Sequence, residues 1–343
     1  MHLTRLQEVL QRRKLDAAVF LQSSHDDPNI RYLIGIDTEF CALVIPARGA
    51  AHVFTAGFEV PRARKVFRSA HATTQASLSK DLQPYIGKRT AVCFDTLTVS
   101  SHAFLKKHFK TTLTDISSEL RSLRMIKTNE EIRVIRAACR ITDELFTLLL
   151  RAWKTFRTEV DAALFLESEM RRRGCEPSFP TIIASGKNSG IPHHHPTTQR
   201  LRKGFCVIDF GVRYKGYCSD MTRTIYLGTP SKAEAHMYEH VAMIQKEIIH
   251  SLRPGKPARQ YYERAHGALG KAFTHGLGHG IGVQVHEAPN INGTSKDVFQ
   301  EKMVFTIEPG VYTPQYGIRI EDDILLMAKA EELTRSSKRL IRL

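Results

Sequence analysis

The stretch FCVIDFGVRYKGYCSDMT, residues 205–222, decides the fold. Its apolar runs have the length and residue types of two β-strands, and the polar residues between them are typical of a turn. Each strand contains an acid where a buried residue is expected, Asp209 in the first and Asp220 in the second. A turn centred on Tyr214-Lys215 would place the two carboxylates opposite each other. Because like charges there destabilise a sheet, we expect a positive group between them.

A second candidate hairpin has the same design. Glu308 ends one apolar run, Glu321 lies in another, and a turn centred on Pro314-Gln315 sets the two acids opposite each other. Buried carboxylates without partners cost several kcal/mol each, so protons, arginines or metal ions must compensate them. Each pair alone would also suit an acid hydrogen-bonded at a strand end. Two such pairs on two hairpins indicate one site.

The glycine-rich segment THGLGHGIG, residues 274–282, contains the histidine that favours metal ions. Glycine at alternate positions disfavours a helix and predicts extended backbone, which would hold His279 rigidly. Four carboxylates and one imidazole form a ligand set of oxygen and nitrogen without sulfur, and their charge balances two divalent cations.

Other histidines are candidates for substrate contacts. His193 directly follows Pro192, and His286 lies three residues before Pro289. Imidazoles placed in this way are candidates for polarising a carbonyl or holding an oxyanion. We expect His194 and His195, the next two residues of the triple histidine, to lie in a solvated loop.

The chain length and residue pattern predict two domains. A chain of 343 residues exceeds one ordinary core, and its 42% hydrophobic and 25% charged residues are typical of a globular protein. Residues 1–118 alternate short strands, one of them at 34–36, with helices, which predicts an α/β domain. Residues 119–343 combine long amphipathic helices with β segments, which predicts an α+β domain.

Charge and cysteine content exclude several classes of protein. The formal charge of +15 comes from short scattered patches without interleaved aromatic residues, so nucleic acid is not an expected partner. The six cysteines contain no Cys-x-x-Cys pair, which disfavours a zinc knuckle and a disulfide scaffold. Neither a bilayer-spanning run nor a signal peptide is recognisable, and we therefore expect no membrane contact and a cytoplasmic location.

These segments together resemble the pita-bread metallopeptidases, in the branch of aminopeptidase P and prolidase. The resemblance is strongest over residues 120–343 and rests on motifs that occur in family order and at family spacing: FPTIIASG (179–186), IPH (191–193), IDFG (208–211), GYCSDMTRT (216–224), HGLGHG (275–280), HEAP (286–289), EPG (308–310) and RIED (319–322). It implies a creatinase/aminopeptidase-like catalytic domain. The N-terminal part resembles, more loosely, the ribonuclease-H-like α/β domain that accompanies it.

The resemblance also implies a ligand set for two divalent metal ions. Asp209 would bind one ion, Asp220 and Glu321 would bridge both, and His279 and Glu308 would bind the other. A hydroxide bridging the ions would be the nucleophile, and Glu308 would also carry its proton to the departing nitrogen. Manganese or cobalt is the expected metal, and zinc or iron would also suit the ligands.

By the same resemblance, His193, His275 and His286 line the substrate pocket, and Arg319 and Tyr312 orient the ligands. The implied activity is that of an Xaa-Pro aminopeptidase, which removes an N-terminal residue followed by proline, in a protein expected to form a homodimer. Prolidase activity on Xaa-Pro dipeptides is the alternative. Some prolidases carry an arginine where this chain has Asn290, which weakens that alternative. A non-catalytic pita-bread binding protein is the remote alternative.

Overall fold

The computed structural model describes residues 2–22, 26–35 and 38–343. These residues form two compact units, Met1–Arg124 and Met125–Leu343. The boundary expected at residue 118 falls in the first turn of the helix Ser117–Met125, and the division after Arg124 falls at the end of the same helix.

The first unit is an α/β layer. Its described strands form one mixed sheet in the order β4-β3-β2-β1-β5-β6. They are β1 (Ala17–Gln22), β2 (Cys41–Pro46), β3 (His52–Thr55), β4 (Ala70–Ala72), β5 (Arg89–Val92) and β6 (Thr112–Asp115). Its described helices are α1 (His2–Arg12), α2 (Pro28–Ile34), α3 (Val60–Val66), α4 (Leu78–Leu82), α5 (Val99–His108) and α6 (Ser117–Met125).

The strand expected at residues 34–36 is wrong where the structure describes it. Ile34 ends α2, and Gly35 takes a left-handed conformation with φ of 66°, so that its N–H bonds to the carbonyl of Arg31. This helix stop requires positive φ, which glycine adopts without steric cost. Ile36 lies outside the described residues.

The second unit places helices outside and antiparallel strands inside. Its helices are α7 (Asn129–Ala152), α8 (Glu159–Arg172), α9 (Lys232–Ser251) and α10 (Ala258–Leu269). The first three begin with capping boxes, in which the side chain of Thr128, Thr158 or Ser231 accepts from the backbone three residues later. Such caps stabilise a helix start by about 1 kcal/mol.

Four antiparallel sheets form the inside of this unit, in the orders β11-β10-β7, β12-β9-β8, β14-β13-β15-β18-β19 and β16-β17. The strands are β7 (Glu176–Pro177), β8 (Ile182–Ser185), β9 (Gly204–Phe210), β10 (Val212–Tyr214), β11 (Tyr217–Cys218), β12 (Met221–Leu227), β13 (Gly278–Gly280), β14 (Glu287–Ile291), β15 (Met303–Ile307), β16 (Gly310–Tyr312), β17 (Gly317–Arg319), β18 (Asp322–Leu326) and β19 (Ala330–Glu332).

Two apolar cores hold helices against these sheets. Leu149, Trp153 and Leu166 from α7, the turn after it and α8 pack on residues of β9 and β12. In the second core, α9 and α10 cover the five-stranded sheet, whose Phe305 stacks on Phe299. The predicted α+β layering of this unit is confirmed.

The register expected for the first hairpin is wrong by two residues. Asp209 pairs with Thr222 rather than Asp220, because the turn is centred on Lys215-Gly216. Both turn residues have positive φ, 48° and 83°. A two-residue type I′ turn, whose twist matches that of the strands, has positive φ at both central positions, and Gly216 adopts it at the second position without steric cost.

The register expected for the second hairpin is confirmed. Ile307 pairs with Asp322 on one side of the acids, and Gly310 pairs with Arg319 on the other. Both pairings are centred on the predicted turn, Pro314-Gln315. Glu308 and Glu321, which lie between the two paired positions, are therefore opposite each other.

All six cysteines of the sequence are free and buried. In the described part of the chain, no helix combines the length and the apolarity that crossing a bilayer requires.

Candidate metal centre and substrate pocket

The five residues expected to bind metal meet at one cavity of the second unit. The cavity has a volume of about 260 Å³. It is lined by Phe179, Ile182, Pro192, His193, Asp209, Asp220, His275, Gly276, Gly278, His279, His286, Glu308, Arg319 and Glu321. Every residue proposed from the sequence for metal or substrate contact is in this lining, except Tyr312, which lies behind it.

Each acid stands where a strand ends or breaks. Asp209 is the next-to-last residue of β9, and Glu308 directly follows β15. Asp220 and Glu321 interrupt segments expected to be continuous strands, the first between β11 and β12 and the second between β17 and β18. At each interruption the backbone changes partner: Asp220 N–H donates to the Asp323 carboxylate, and Glu321 N–H donates to the Thr222 carbonyl.

The distances between these groups suit a cation. One ligand atom from each of Asp220, His279 and Glu321 lies within 4.8 Å of the others. His279 Nε2 is 3.8 Å from Asp220 Oδ2 and 3.5 Å from Glu308 Oε1. These separations are too long for hydrogen bonds, and they leave room for an ion bound at about 2.0–2.2 Å from each ligand.

Burial and mutual repulsion oppose the charge of these acids. Burial, opposed by Arg319 and reinforced by the nearby Asp209 carboxylate, raises the pKa of Glu308 to about 8. Burial followed by repulsion from the other acids raises the pKa of Asp220 and of Glu321 well above the ordinary range. A bound cation would reverse both effects.

The balance of charged side chains around the cavity shows whether divalent metal ions fit there. Four carboxylates face the cavity, and Arg319 is the one lysine or arginine in the described lining. Its guanidinium is committed to Asp209, with Nη2 2.6 Å from Oδ2. Asp209 Oδ1 and Asp220 Oδ1 are buried without a hydrogen-bond partner among the described residues. The donor set therefore fits divalent cations with oxygen and nitrogen ligands.

His279 is held in the tautomer that a metal ligand requires. Its Nδ1 lies 3.2 Å from the carbonyl oxygen of Gly280, which can only accept, so Nδ1 carries the proton. Nε2, with its lone pair, faces the carboxylates. Burial lowers the pKa of His279 to about 3, and the ring is neutral at physiological pH.

A chain of hydrogen bonds behind the acids fixes the pocket wall. Arg319, bound to Asp209, also donates through Nη1 to the Tyr312 hydroxyl at 2.7 Å and to the Pro192 carbonyl at 3.2 Å. The Tyr312 hydroxyl is 2.9 Å from His275 Nε2, and His275 Nδ1 donates to the Gly276 carbonyl. Asp209 is thus connected to His275 through two intervening side chains.

The remaining histidines take different places. His193 and His286 are exposed at the cavity, and the ring of His286 lies 4.3 Å from that of His279. His195 is exposed, as expected. The expectation for His194 is wrong: its side chain is 9% exposed, and its Nε2 lies 2.9 Å from the carboxylate of Glu159. The imidazole is buried because it binds the carboxylate of Glu159, which is distant from it in the sequence.

Sequence reasoning missed two residues that orient the acids. Thr222 donates to Glu321 Oε2 at 2.6 Å and accepts from Arg319 Nε at 3.0 Å. Asp323 accepts the N–H of Asp220 at 2.9 Å. The corrected hairpin register would have identified Thr222, since it faces Asp209 across the ladder. No pattern in the sequence marks Asp323.

Two models of known protein families match the chain. The model of metallopeptidase family M24 matches residues 133–328, and that of the creatinase/prolidase N-terminal domain matches residues 2–126. The Xaa-Pro dipeptidase of Pyrococcus furiosus is 38% identical over 235 residues, which cover 66% of this chain and 68% of the relative.

Solved structures match over almost the full length. An Xaa-Pro dipeptidase from Bacillus anthracis superposes with a TM-score of 0.90 at 30% identity, covering 100% of this chain and 99% of the other. An X-Pro aminopeptidase from Thermotoga maritima gives a TM-score of 0.90 at 27% identity, covering 97% and 99%. The fold is thus a creatinase-type α/β domain followed by a pita-bread domain. The chain belongs to metallopeptidase family M24.

Proposed function

We propose that this protein hydrolyses the peptide bond before a proline, and that Xaa-Pro dipeptides are its preferred substrates. The observation that carries the proposal is the convergence of four carboxylates and His279 on one cavity. The relatives from Pyrococcus furiosus and Bacillus anthracis, both named Xaa-Pro dipeptidases, support the dipeptide as substrate. The dipeptidase therefore takes precedence over the aminopeptidase that we expected first from the sequence.

Membership of the family implies divalent metal ions, and Asp220, His279 and Glu321 form the candidate site. We infer that Asp209 and Glu308 complete a set for two ions. Bound there, such ions supply Lewis-acid polarisation of the scissile carbonyl and activation of a water molecule. Manganese and cobalt are the proposed metals, because both accept mixed carboxylate and imidazole ligands.

Glu308 is the proposed proton carrier. Its Oε1 faces His279, and its Oε2 lies 3.8 Å from His275 Nδ1 on the open side of the cavity. The nitrogen of proline leaves as an amine and must gain a proton. We infer that Glu308, which lines the cavity beside His279 and His275, supplies this proton.

The pocket wall supports the proposed preference for proline. Phe179, Ile182 and Pro192 supply apolar surface beside the acids. A bond before proline is a tertiary amide without an N–H, so a substrate site for it needs no acceptor at that position. His193, His275 and His286 line the same space. The exposed rings of His193 and His286 offer nitrogen atoms to the carbonyl and carboxylate groups of a peptide, whereas both nitrogens of His275 are engaged by Tyr312 and Gly276.

Aminopeptidase activity on longer peptides is the second candidate, favoured by one observation. A dipeptide places its carboxylate inside the pocket, but Arg319 already serves Asp209 and no other lysine or arginine is in the described lining. Asn290, an exposed neutral residue, stands where an arginine could clamp that carboxylate. A longer peptide would carry the carboxylate out of the pocket.

The test compares Ala-Pro with Ala-Pro-Ala after chelation and re-addition of Mn²⁺. We expect both rates to depend on the metal and kcat/KM to be higher for Ala-Pro. A higher value for Ala-Pro-Ala would favour the aminopeptidase. Asp220→Ala should abolish both activities, whereas Asp95→Ala, at an exposed acid of the first unit, should change neither. Absence of both activities in the metal-loaded protein would overturn the proposal.

A further inference from the structure

Glu159, the first residue of α8, is a buried acid that no sequence motif indicated. Its side chain is 1% exposed and accepts six hydrogen bonds, all from the segment 185–197. The donors to Oε1 are Ser185 N at 2.8 Å, Ser185 Oγ at 3.0 Å and Asn188 Nδ2 at 2.9 Å. The donors to Oε2 are His194 Nε2 at 2.9 Å, Thr197 N at 3.0 Å and Thr197 Oγ1 at 2.9 Å.

These donors flank the part of the segment that reaches the cavity. Ser185 and Asn188 precede it and His194 and Thr197 follow it, so one carboxylate holds both ends. Between them lies Ile191-Pro192-His193. Pro192 and His193 line the cavity, and the Pro192 carbonyl accepts from Arg319.

The charge of Glu159 is satisfied by hydrogen bonds rather than by a counterion. Among the ion pairs of the described residues, its partner is His194, and no lysine or arginine is paired with it. Its place in the first turn of α8 also lets the helix dipole stabilise the negative charge. Glutamine cannot replace it, because a side-chain amide has one accepting oxygen and would turn its NH₂ towards three donors.

We propose that Glu159, with His194, is a positioning residue that fixes the segment 185–197, so that His193 and Pro192 form the substrate wall of the pocket. The inference rests on the proposed function, since it assigns Glu159 to binding of the proline-containing peptide. The five proposed metal ligands come from other segments, so loss of Glu159 should weaken substrate binding while leaving metal binding intact.

The test measures three properties of Glu159→Gln: kcat and KM for Ala-Pro, manganese content, and hydrogen exchange of the segment 186–197. We expect KM to rise by about 10-fold or more, because small displacements of contact groups have effects of that size. Manganese content should equal that of the wild type, and exchange of the segment should accelerate.

His194→Leu and His194→Gln provide the second measurement if Glu159→Gln fails to fold. Leucine removes the donor to Glu159 and should raise KM, whereas the glutamine amide can donate and should restore KM at least in part. Asp143→Asn is the matched control. Asp143 accepts from the backbone of Arg335 and Ser336 and lines no part of the cavity, so this variant should lose stability without changing KM.

The outcomes separate this inference from the proposed function. An active wild type whose Glu159→Gln and His194→Leu variants keep the wild-type KM, or exchange the segment at the wild-type rate, would overturn the inference and leave the proposed function intact. A rise in KM equalled by Asp143→Asn would also overturn it. A wild type inactive on every Xaa-Pro peptide would overturn both.

Discussion

At the scale of single residues, the environment of the cavity acids opposes their ordinary charged state. Asp220, Glu308 and Glu321 are all withdrawn from water, and Arg319 compensates one charge of the four around it. Asp322, an equally buried acid outside the cavity lining, is paired: it contacts Arg223 at 2.5 Å and Lys338 at 3.0 Å. The contrast is between Asp322, whose charge is matched by two cationic side chains, and the cavity acids, whose charges Arg319 alone does not match.

Asp220→Asn tests this contrast through stability as well as activity. The substitution removes one charge from a repelling cluster, so the metal-free variant should melt at a higher temperature than the metal-free wild type. Hydrolysis of Ala-Pro should fall by more than about 100-fold, since loss of even an outer partner of a metal ligand costs 10- to 100-fold. Calorimetry of the chelated proteins and a rate assay measure the two effects. A lower melting temperature for the chelated variant would contradict the assignment.

Glu159 predicts a specific dependence of stability on pH. Burial alone would raise its pKa, but the hydrogen bonds from Ser185, His194 and Asn188 lower it from 4.5 to about 2. A folded-state pKa below the unfolded value means that the stabilisation is complete above about pH 4.5 and is lost as the pH falls towards 2. The full effect corresponds to about 3 kcal/mol.

Urea unfolding of the wild type and Glu159→Gln between pH 3 and 7 measures this effect. The difference in unfolding free energy should be constant above about pH 5 and shrink below it. A difference that does not change with pH over this range would show that the carboxylate is not the stabilising form.

At the scale of elements, the hairpins show what a sequence pattern can and cannot predict. Apolar periodicity identified the strands that carry the acids, and the symmetric acids of the second hairpin fixed its register. The first register was wrong because polarity alone does not locate the centre of a turn; the positive φ of Lys215 and Gly216 decides it. The strand breaks at Asp220 and Glu321 were also missed, since a change of hydrogen-bond partner leaves no mark on hydrophobic spacing.

Two glycine substitutions should change the stability of the protein in opposite directions, and the one at Gly216 tests the turn assignment. Gly216→Ala should destabilise the protein by about 1 kcal/mol, because an alanine at φ of 83° is sterically strained. Gly267 lies on the exposed side of α10, where an added Cβ would meet open space. Gly267→Ala should therefore stabilise the protein by about 1 kcal/mol through helix propensity. Thermal denaturation of both variants measures the signs. An unchanged melting temperature for Gly216→Ala would argue against the turn.

At the scale of the whole molecule, the motifs predicted which residues line the site better than they predicted the contacts that hold those residues in place. Spacing and residue type brought together five segments between residues 209 and 321. The contacts that hold the pocket wall, such as Glu159 to His194, join residues with no shared motif. Such contacts depend on how α8 packs against the sheet β12-β9-β8, which only the folded chain reveals.

Metal removal should affect the stability of the second unit, which contains the site. Trp153, the one tryptophan of the sequence, is buried in the core between α8 and β9, so its fluorescence reports the unfolding of this unit. Chelation should lower the melting temperature that this fluorescence records, and Mn²⁺ at 100 times its Kd should restore about 2.7 kcal/mol. Sodium chloride at equal ionic strength controls for screening. Equal melting curves with and without manganese would contradict a metal centre.

The burial of every cysteine offers a route to optical labelling. Because all six thiols are enclosed, and burial raises the pKa of Cys41 to about 12, a maleimide dye would find little native background. Ile191, beside Pro192 and 54% exposed, is a natural attachment point for such a dye after replacement by cysteine. Changes in its emission would then follow, in real time, the arrival and departure of peptides at the mouth of the pocket.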